Sequence, residues 1–216
     1  MSRFQHVLFD LDGTLTDPAA GITRSLAHAL EAVGRPVADR SSLRALIGPP
    51  LVDAFAAMGM TDAEIDVAIA AYRERYTTVG LYENALIHGI DALVRDLHTA
   101  GVRLAIATSK PEPFAATILE HFGLLDHFAV VAGATLDHRR RHKDEVVLHA
   151  LEHLGLPDVS GVVMVGDREH DVFGAAEHGI ATIGVLWGYG SKDELARAGA
   201  AAIVATVDEL RDALRT

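Results

Sequence analysis

Two aspartates follow a short apolar run near the N-terminus, within the stretch HVLFDLDGTLTD at residues 6–17. Asp10 and Asp12 are two residues apart, so their like charges repel each other unless a cation or a proton relieves the repulsion. A carboxylate can attack a phosphorus centre to form an acyl phosphate, and closely spaced carboxylates can hold a hard cation such as Mg²⁺. The pair indicates phosphoryl chemistry beside a cation, with a solvated strand end and a glycine turn as the alternative.

Polar residues in three further segments also suit a phosphoryl site. Thr108 and Ser109 end the segment VRLAIATS, Lys143 begins KDEVVLHALEHLG, and Asp167 and Asp171 lie in GDREHD. Hydroxyl, amide and ammonium groups neutralise the oxygens of a transferring phosphoryl group, and a further acid must protonate the leaving oxygen. The alternatives at these positions are a helix cap, a solvated lysine among arginines, and an acid favoured by a helix dipole.

The segments that must position these residues alternate between apolar strands and amphipathic helices. Continuous apolar runs are typical of parallel strands that are buried on both faces. The runs occupy residues 6–11, 102–109, 128–134, 161–167 and 181–188, and helical patterns occupy residues 89–101, 111–123, 143–155 and 171–179. This order predicts an α/β fold with a doubly wound parallel sheet. The carboxyl ends of its strands share one edge, where we expect the polar residues to meet.

A long segment after the first strand interrupts this alternation with helical patterns and no apolar strand. We expect residues 17–86 to form an inserted α-helical cap domain and residues 1–16 and 87–216 to form the α/β core domain. Asp17, the third acid of the opening stretch, then marks the hinge into the cap.

A Gly-Pro-Pro turn lies between two of the cap helices, in the stretch LIGPPL at residues 46–51. A rigid loop of this kind can project over a core site and contact the substrate. Arg44, Gly48 and Pro49 are therefore candidate substrate-binding residues, with a plain helix-breaking turn as the alternative.

Composition narrows the class of protein and the kind of partner. The chain has 216 residues, 50% of them hydrophobic, which suffices for a sizeable core. Its net charge of −11 argues against nucleic acid or an anionic membrane as the main partner, whereas a cation can still attract a small anionic substrate. The absence of cysteine excludes thiolate catalysis. No apolar stretch approaches the ~20 residues of a membrane span, so we expect a cytoplasmic protein. The sequence leaves the oligomeric state open between a monomer and a homodimer.

Two pairs of histidines have a spacing that metal ligands can show. His138 and His142 are four residues apart in a basic loop, and His149 and His153 are four residues apart on a predicted helix. Because the sequence offers no evident third ligand to either pair, solvated surface histidines are the favoured interpretation over a zinc site.

Taken in order, the quoted motifs resemble the four motifs of the haloacid dehalogenase (HAD) superfamily. DLDGTLTD, ATSKP, a lysine that opens a helix, and GDREHD occur in that order between residues 10 and 171. The chain looks most like the phosphoglycolate phosphatase-like and 5′-nucleotidase-like members. The resemblance covers nearly the whole chain and implies a HAD-like, Rossmann-like core with a helical C1 cap and a Mg²⁺ cofactor.

The resemblance also implies a role for each matching residue. Asp10 would be the nucleophile, and Asp12 would be the general acid and base. Thr108 would bind the transferring phosphoryl group with help from the Ser109 amide, and Lys143 would pair with Asp10 and the phosphate. We assign the lysine role to Lys143 rather than to the preceding arginines because it opens the helix, where the helix dipole favours anions.

The metal ligands implied by the resemblance come from the first and the fourth motif. Asp10 and Asp167 would ligate Mg²⁺ directly, and Asp12 would contribute its backbone carbonyl. Asp171 would support the metal shell through water.

These observations predict a Mg²⁺-dependent phosphomonoester hydrolase that acts through an aspartyl-phosphate intermediate. Its substrate would be a small metabolite phosphate, either phosphoglycolate-like or a nucleoside 5′-monophosphate. The alternatives are a phosphotransferase or phosphomutase of the same fold, and a phospho-aspartate signalling module without turnover. Kinase activity would need a nucleotide site, and the sequence contains no P-loop motif.

Overall fold

The structure is a computed structural model, and it describes residues 3–48, 50–137 and 139–215. The described strands are β1 His6–Phe9, β2 Thr16–Asp17, β3 Ala85–Leu86, β4 Arg103–Pro111, β5 Phe128–Ala134, β6 Val162–Gly166, β7 Ala181–Val185 and β8 Ala202–Val204. The α-helices are α1 Ala19–Ala32, α2 Leu51–Ala57, α3 Asp62–Arg75, α4 Ile90–Thr99, α5 Glu112–His121, α6 Lys143–Leu154, α7 Glu169–Ala176, α8 Lys192–Ala198 and α9 Val207–Arg215. No helix in these ranges is long and apolar enough to cross a membrane.

Six strands form one parallel sheet in the order β5-β4-β1-β6-β7-β8. The N-terminal strand β1 lies in the middle, with β4 on one side and β6 on the other. The chain runs outward from β1 through β4 to β5 and then returns to the other side of β1 at β6. The predicted α/β fold with a doubly wound parallel sheet is confirmed.

Burial on both faces explains why the central strands read as continuous apolar runs. All four residues of β1 and all five of β6 are buried. The sequence did not predict β8, a strand of only three residues in an alanine-rich segment, because so short a run carries no periodic signal.

Helix α6 covers one face of this sheet and begins at a residue important for the site. Its start is fixed by a bond from the backbone N–H of His142 to Glu145 (3.0 Å), and its end by Gly155 in the left-handed conformation. Its buried side chains, which include Val147 and Leu151, pack in one cluster with residues of β1, β4 and β6. The packing of this helix therefore sets where its first residue, Lys143, is held.

The chain divides into two compact units, residues 1–16 with 86–216 and residues 17–85. The second unit is helical, and α1 packs against α3 within it. At one close approach, a Cβ placed on Gly21 would lie 2.1 Å from the carbonyl oxygen of Gly80. Glu83 accepts hydrogen bonds from Arg24 and Arg75, so an ion-pair network joins the last segment of this unit to α1 and α3.

The two leucines near the middle of α6 provide a matched test of this packing. Leu151 is 5% exposed in the core cluster and Leu148 is 45% exposed. We expect Leu151→Ala to lower the free energy of unfolding by about 2–5 kcal/mol, because it leaves a cavity in the core. Leu148→Ala should change it by only about 0.5 kcal/mol. Urea titration followed by circular dichroism measures both, and equal losses would contradict the assignment of the buried face.

Candidate active site

The first and the fourth motif meet where the direction of winding changes beside β1. Asp10 follows β1 and Asp167 follows the adjacent strand β6, and the backbone N–H of Asp10 donates to the carbonyl of Val165 at 2.9 Å. Ligands of open α/β sheets bind outside the carboxyl ends of the strands at such a point. The sheet order therefore brings together two acids that are far apart in sequence.

Three buried carboxylates form a cluster at this edge. One oxygen from each of Asp10, Asp167 and Asp171 lies within 4.8 Å of the others. Burial, together with Asp171 and Asp10, raises the pKa of Asp167 to about 8. Burial also raises the pKa of Asp171, although Lys143 partly opposes the effect. So much buried negative charge needs a positive partner, and an all-oxygen donor set of this size fits a hard divalent cation.

The lysine that opens α6 reaches into this cluster. The Nζ atom of Lys143 lies 3.0 Å from Oδ1 of Asp10 and 2.6 Å from Oδ1 of Asp171, and it donates to the carbonyl of Ala107 at 2.9 Å. Burial alone would lower the pKa of Lys143, but the two carboxylates outweigh it and raise the pKa. Lys143 is therefore a permanent positive charge that holds one oxygen of Asp10.

The arginines that precede Lys143 point to other partners. Arg139 pairs with Asp137, and Arg140 pairs with Glu112 at 2.7 Å while it donates to the carbonyl of Gly133. Among the basic residues of this loop that the structure describes, Lys143 is the one in contact with the aspartate cluster.

Asp12 has a different partner, Lys110, which the sequence placed near the site but to which it assigned no role. Its Oδ2 atom lies 2.7 Å from Nζ of Lys110, and both side chains are largely buried. Burial raises the pKa of Asp12, Lys110 opposes the rise, and Asp10 adds to it. The other oxygen, Oδ1, is buried and has no hydrogen-bond partner within the described residues. The sequence signal was the position of Lys110 directly after Thr108 and Ser109.

The second motif places a hydroxyl at the end of β4. Thr108 is buried, and its Oγ1 accepts a hydrogen bond from the backbone N–H of Lys110 at 3.2 Å. Because that bond uses a lone pair, the hydroxyl proton of Thr108 stays available for a substrate oxygen. Ser109 is partly exposed beside it.

Asp167 is held in one orientation by the segment after β7. Its Oδ2 accepts the backbone N–H of Tyr189 at 2.7 Å, and its Oδ1 accepts the hydroxyl of Thr14 at 3.3 Å. A Cβ placed on Gly188 would lie 2.3 Å from Oδ2 of Asp167, so this approach requires a glycine. The sequence analysis gave this segment no role in the site and missed that its backbone positions Asp167.

The substrate-binding candidates of the insertion lie within the helical unit. Arg44 is exposed in a 3₁₀ helix at Arg40–Leu46, and Gly48 is exposed with a φ of 114°. Pro49 lies outside the described residues. A role for these three residues in substrate binding stays a prediction.

Comparison with known proteins identifies the family. Residues 7–185 match the family model of haloacid dehalogenase-like hydrolases, so the chain belongs to this family, as its four motifs predicted. The structure is similar to the crystal structure of a predicted phosphatase from Clostridium acetobutylicum, with a TM-score of 0.93 and 42% identity over 97% of each chain.

Two curated relatives differ in the activity that their names state. The chain is 50% identical to the tyrosine-protein kinase PtkA of Mycobacterium tuberculosis, over 97% of this chain and 72% of PtkA. It is 45% identical to a 5′-nucleotidase of Pseudomonas aeruginosa, over 89% of this chain and 87% of that enzyme. Family and relatives together confirm the predicted enzyme class, a hydrolase of the phosphatase type.

Substitution of a glycine in α7 tests whether activity depends on the exact position of the Lys143 side chain. A Cβ on Gly174 would lie 2.5 Å from Cγ of Lys143, because α7 packs against α6. Alanine is normally more stabilising than glycine in the interior of a helix. We nevertheless expect Gly174→Ala to lower the phosphatase rate on the order of 10²-fold, because the added Cβ displaces Lys143. Steady-state kinetics on a phosphate ester measures the loss.

The matched control for that variant is Gly155→Ala, at the end of α6. Gly155 has open space around its Cα but a φ of 68°, so alanine there should cost about 1 kcal/mol of stability. Its phosphatase rate should stay near that of the wild type. Equal activity of the two variants would contradict a requirement for close packing at Lys143.

The raised pKa of Asp167 predicts how stability depends on pH in metal-free protein. The folded state binds this proton more tightly than the unfolded chain, in which the pKa takes its ordinary value of 3.8. The stabilising contribution is complete below that value and is lost as the pH rises from about 4 to about 8. Melting temperatures measured with a chelator should therefore fall over this range, and Asp167→Asn should make the fall shallower.

Substitution of an exposed aspartate, Asp66→Asn, is the control and should leave the slope unchanged. Parallel pH profiles for the wild type and Asp167→Asn would show that Asp167 does not titrate as stated.

Proposed function

We propose that this chain is a Mg²⁺-dependent phosphomonoester hydrolase in which Asp10 forms an aspartyl-phosphate intermediate. The observation that carries the proposal is the placement of Asp10 between a lysine and two further buried carboxylates. Asp10 and Asp167 would hold the Mg²⁺ ion, together with the backbone carbonyl of Asp12, and Asp171 would support it through water. When bound, the ion would neutralise charge on the phosphoryl oxygens.

Asp10 would carry out the first step as a nucleophile. Lys143 holds its Oδ1, which leaves the second carboxylate oxygen to attack the phosphorus atom. The new Asp10 O–P bond forms while the bond from phosphorus to the substrate oxygen breaks. Thr108 would donate its hydroxyl proton in a hydrogen bond to a phosphoryl oxygen, and the Ser109 amide and Lys143 would add further positive character.

Asp12 would move the proton in both steps. In the first step its carboxyl group gives a proton to the leaving oxygen, and in the second its carboxylate takes a proton from the water that attacks the acyl phosphate. That attack releases inorganic phosphate and restores Asp10. We assign this transfer to Oδ1 of Asp12, which has no hydrogen-bond partner in the described part of the chain, because Lys110 holds Oδ2.

For the substrate we propose a small metabolite phosphate, of the nucleoside 5′-monophosphate or phosphoglycolate class. The name of the Pseudomonas aeruginosa relative favours a 5′-nucleotide. The helical unit, residues 17–85, is proposed to act as the cap that selects the substrate, with Arg44, Gly48 and Pro49 as contacts.

A second candidate is transfer of the phosphoryl group to a tyrosine hydroxyl instead of water. The identity of 50% to a protein named tyrosine kinase favours it. Both reactions could share a phosphoryl group on Asp10 and differ in the acceptor. The lack of a P-loop motif favours the hydrolase.

Substitution of the two aspartates tests the mechanism. We expect Asp10→Asn to reduce release of phosphate from small monophosphates in Mg²⁺ to background, because the nucleophile is lost. Asp12→Asn should lower kcat by about 10²–10⁴-fold, because proton transfer is lost while the nucleophile remains. A malachite green assay over a panel of metabolite phosphates measures both, and activity that survives Asp10→Asn would refute the proposal.

Analysis of the products separates the alternatives. Free phosphate equal to the substrate consumed supports hydrolysis. Phosphotyrosine formed from γ-labelled ATP would support the kinase, and a phosphorylated sugar product would support a phosphotransferase or mutase. A long-lived phosphoprotein after treatment with acetyl phosphate, without release of phosphate, would support a signalling module.

A further inference from the structure

A second group of potential metal ligands lies on α6, separate from the aspartate cluster. It consists of His149, Glu152 and His153, within the stretch HALEH. One ligand atom from each side chain lies within 4.8 Å of the others. Positions i, i+3 and i+4 share one face of a helix, which explains why the three side chains converge. The four-residue histidine spacing thus has a third ligand, Glu152, which lies between the two histidines in sequence.

Hydrogen bonding prepares the ring of His153 for a metal ion. Its Nδ1 atom lies 2.8 Å from the carbonyl oxygen of His149. Because a carbonyl oxygen can only accept, Nδ1 must carry the hydrogen, which leaves the lone pair of neutral His153 on Nε2. A backbone carbonyl often fixes the tautomer of a metal-binding histidine in this way.

The surroundings of His149 also favour its neutral form. Its ring centroid lies 3.9 Å from that of His153, and its Nε2 atom lies 3.8 Å from a carboxylate oxygen of Glu112. Burial, Arg140 and His153 lower its pKa, and Glu112 and Glu152 oppose them. A neutral imidazole is the form that binds metal. Arg140 is unfavourable for a cation, but its guanidinium is paired with Glu112 at 2.7 Å.

We propose that His149, Glu152 and His153 bind one divalent transition-metal ion of the Zn²⁺ or Ni²⁺ class, with water in the remaining positions. Two imidazole nitrogens and one carboxylate suit these ions, whereas Mg²⁺ prefers oxygen ligands only. The ion links successive turns of α6 and stabilises the helix, and it takes no part in phosphoryl transfer. This proposal does not depend on the proposed function. The other four-residue pair is His138 and His142, and His138 lies outside the described residues.

Isothermal titration of the whole chain with Ni²⁺ tests the site, with Mg²⁺ present in excess to occupy the aspartate cluster. We expect one Ni²⁺ ion per chain and a higher melting temperature when it binds. The double variant His149→Gln/His153→Gln should lose both effects and keep the Mg²⁺-dependent activity of the wild type. Glu152→Gln should weaken binding by about tenfold or more, since loss of even an indirect ligand contact has an effect of that size.

His28→Gln is the matched control. His28 is an exposed histidine on α1, three residues before Glu31, and it belongs to no ligand group among the described residues. It should bind Ni²⁺ like the wild type. The proposal is overturned if the wild type binds no Ni²⁺ under these conditions, or if the double variant binds it as tightly as the wild type does.

Discussion

The site depends on one electrostatic constraint, the burial of several carboxylates around a single lysine. Removing an ion from water costs on the order of several kcal/mol, and like charges at short range add to that cost. Lys143 offsets part of it by contacting Asp10 and Asp171 at once. Asp167 has no lysine partner among its described contacts, and burial together with Asp171 and Asp10 raises its pKa to about 8. The cluster could therefore hold a further cation.

A second ion pair gives the two aspartates that follow β1 different charged partners. Asp10 faces the carboxylate cluster and Lys143, whereas Asp12 faces Lys110. Although only one residue separates them, the two acids lie in different electrostatic surroundings. That separation suits one group that must remain ionised and another that must gain and lose a proton. Three structural features produce this difference: the end of strand β1, a glycine turn, and a lysine from the neighbouring strand β4.

Sequence reasoning predicted the fold class and family well because both rest on local signals. Apolar runs predicted β1, β4, β5, β6 and β7, and the motif order led to the family that the comparison confirms. It missed what depends on distant contacts: the pairing of Lys110 with Asp12, and the backbone N–H of Tyr189 that holds Asp167. A backbone N–H donor cannot be recognised in a sequence, because every residue type except proline has one. The lysine that pairs with Asp12 cannot be identified until the order of the strands in the sheet is known. It also overlooked Glu152, although the helix predicted over residues 143–155 already put this residue on the same face as His149 and His153.

The central position of β1 has a consequence for synthesis of the chain. Asp10 leaves the ribosome early, but its strand pairs with β4 from residue 103 and with β6 from residue 162. Tyr189, which orients Asp167, comes later still. Such pairings between distant segments slow folding, and strands without partners expose apolar surface in the meantime. Asp10 is therefore synthesised long before Lys143, Asp167 and Asp171, and the buried carboxylate cluster can form only after most of the chain has been made.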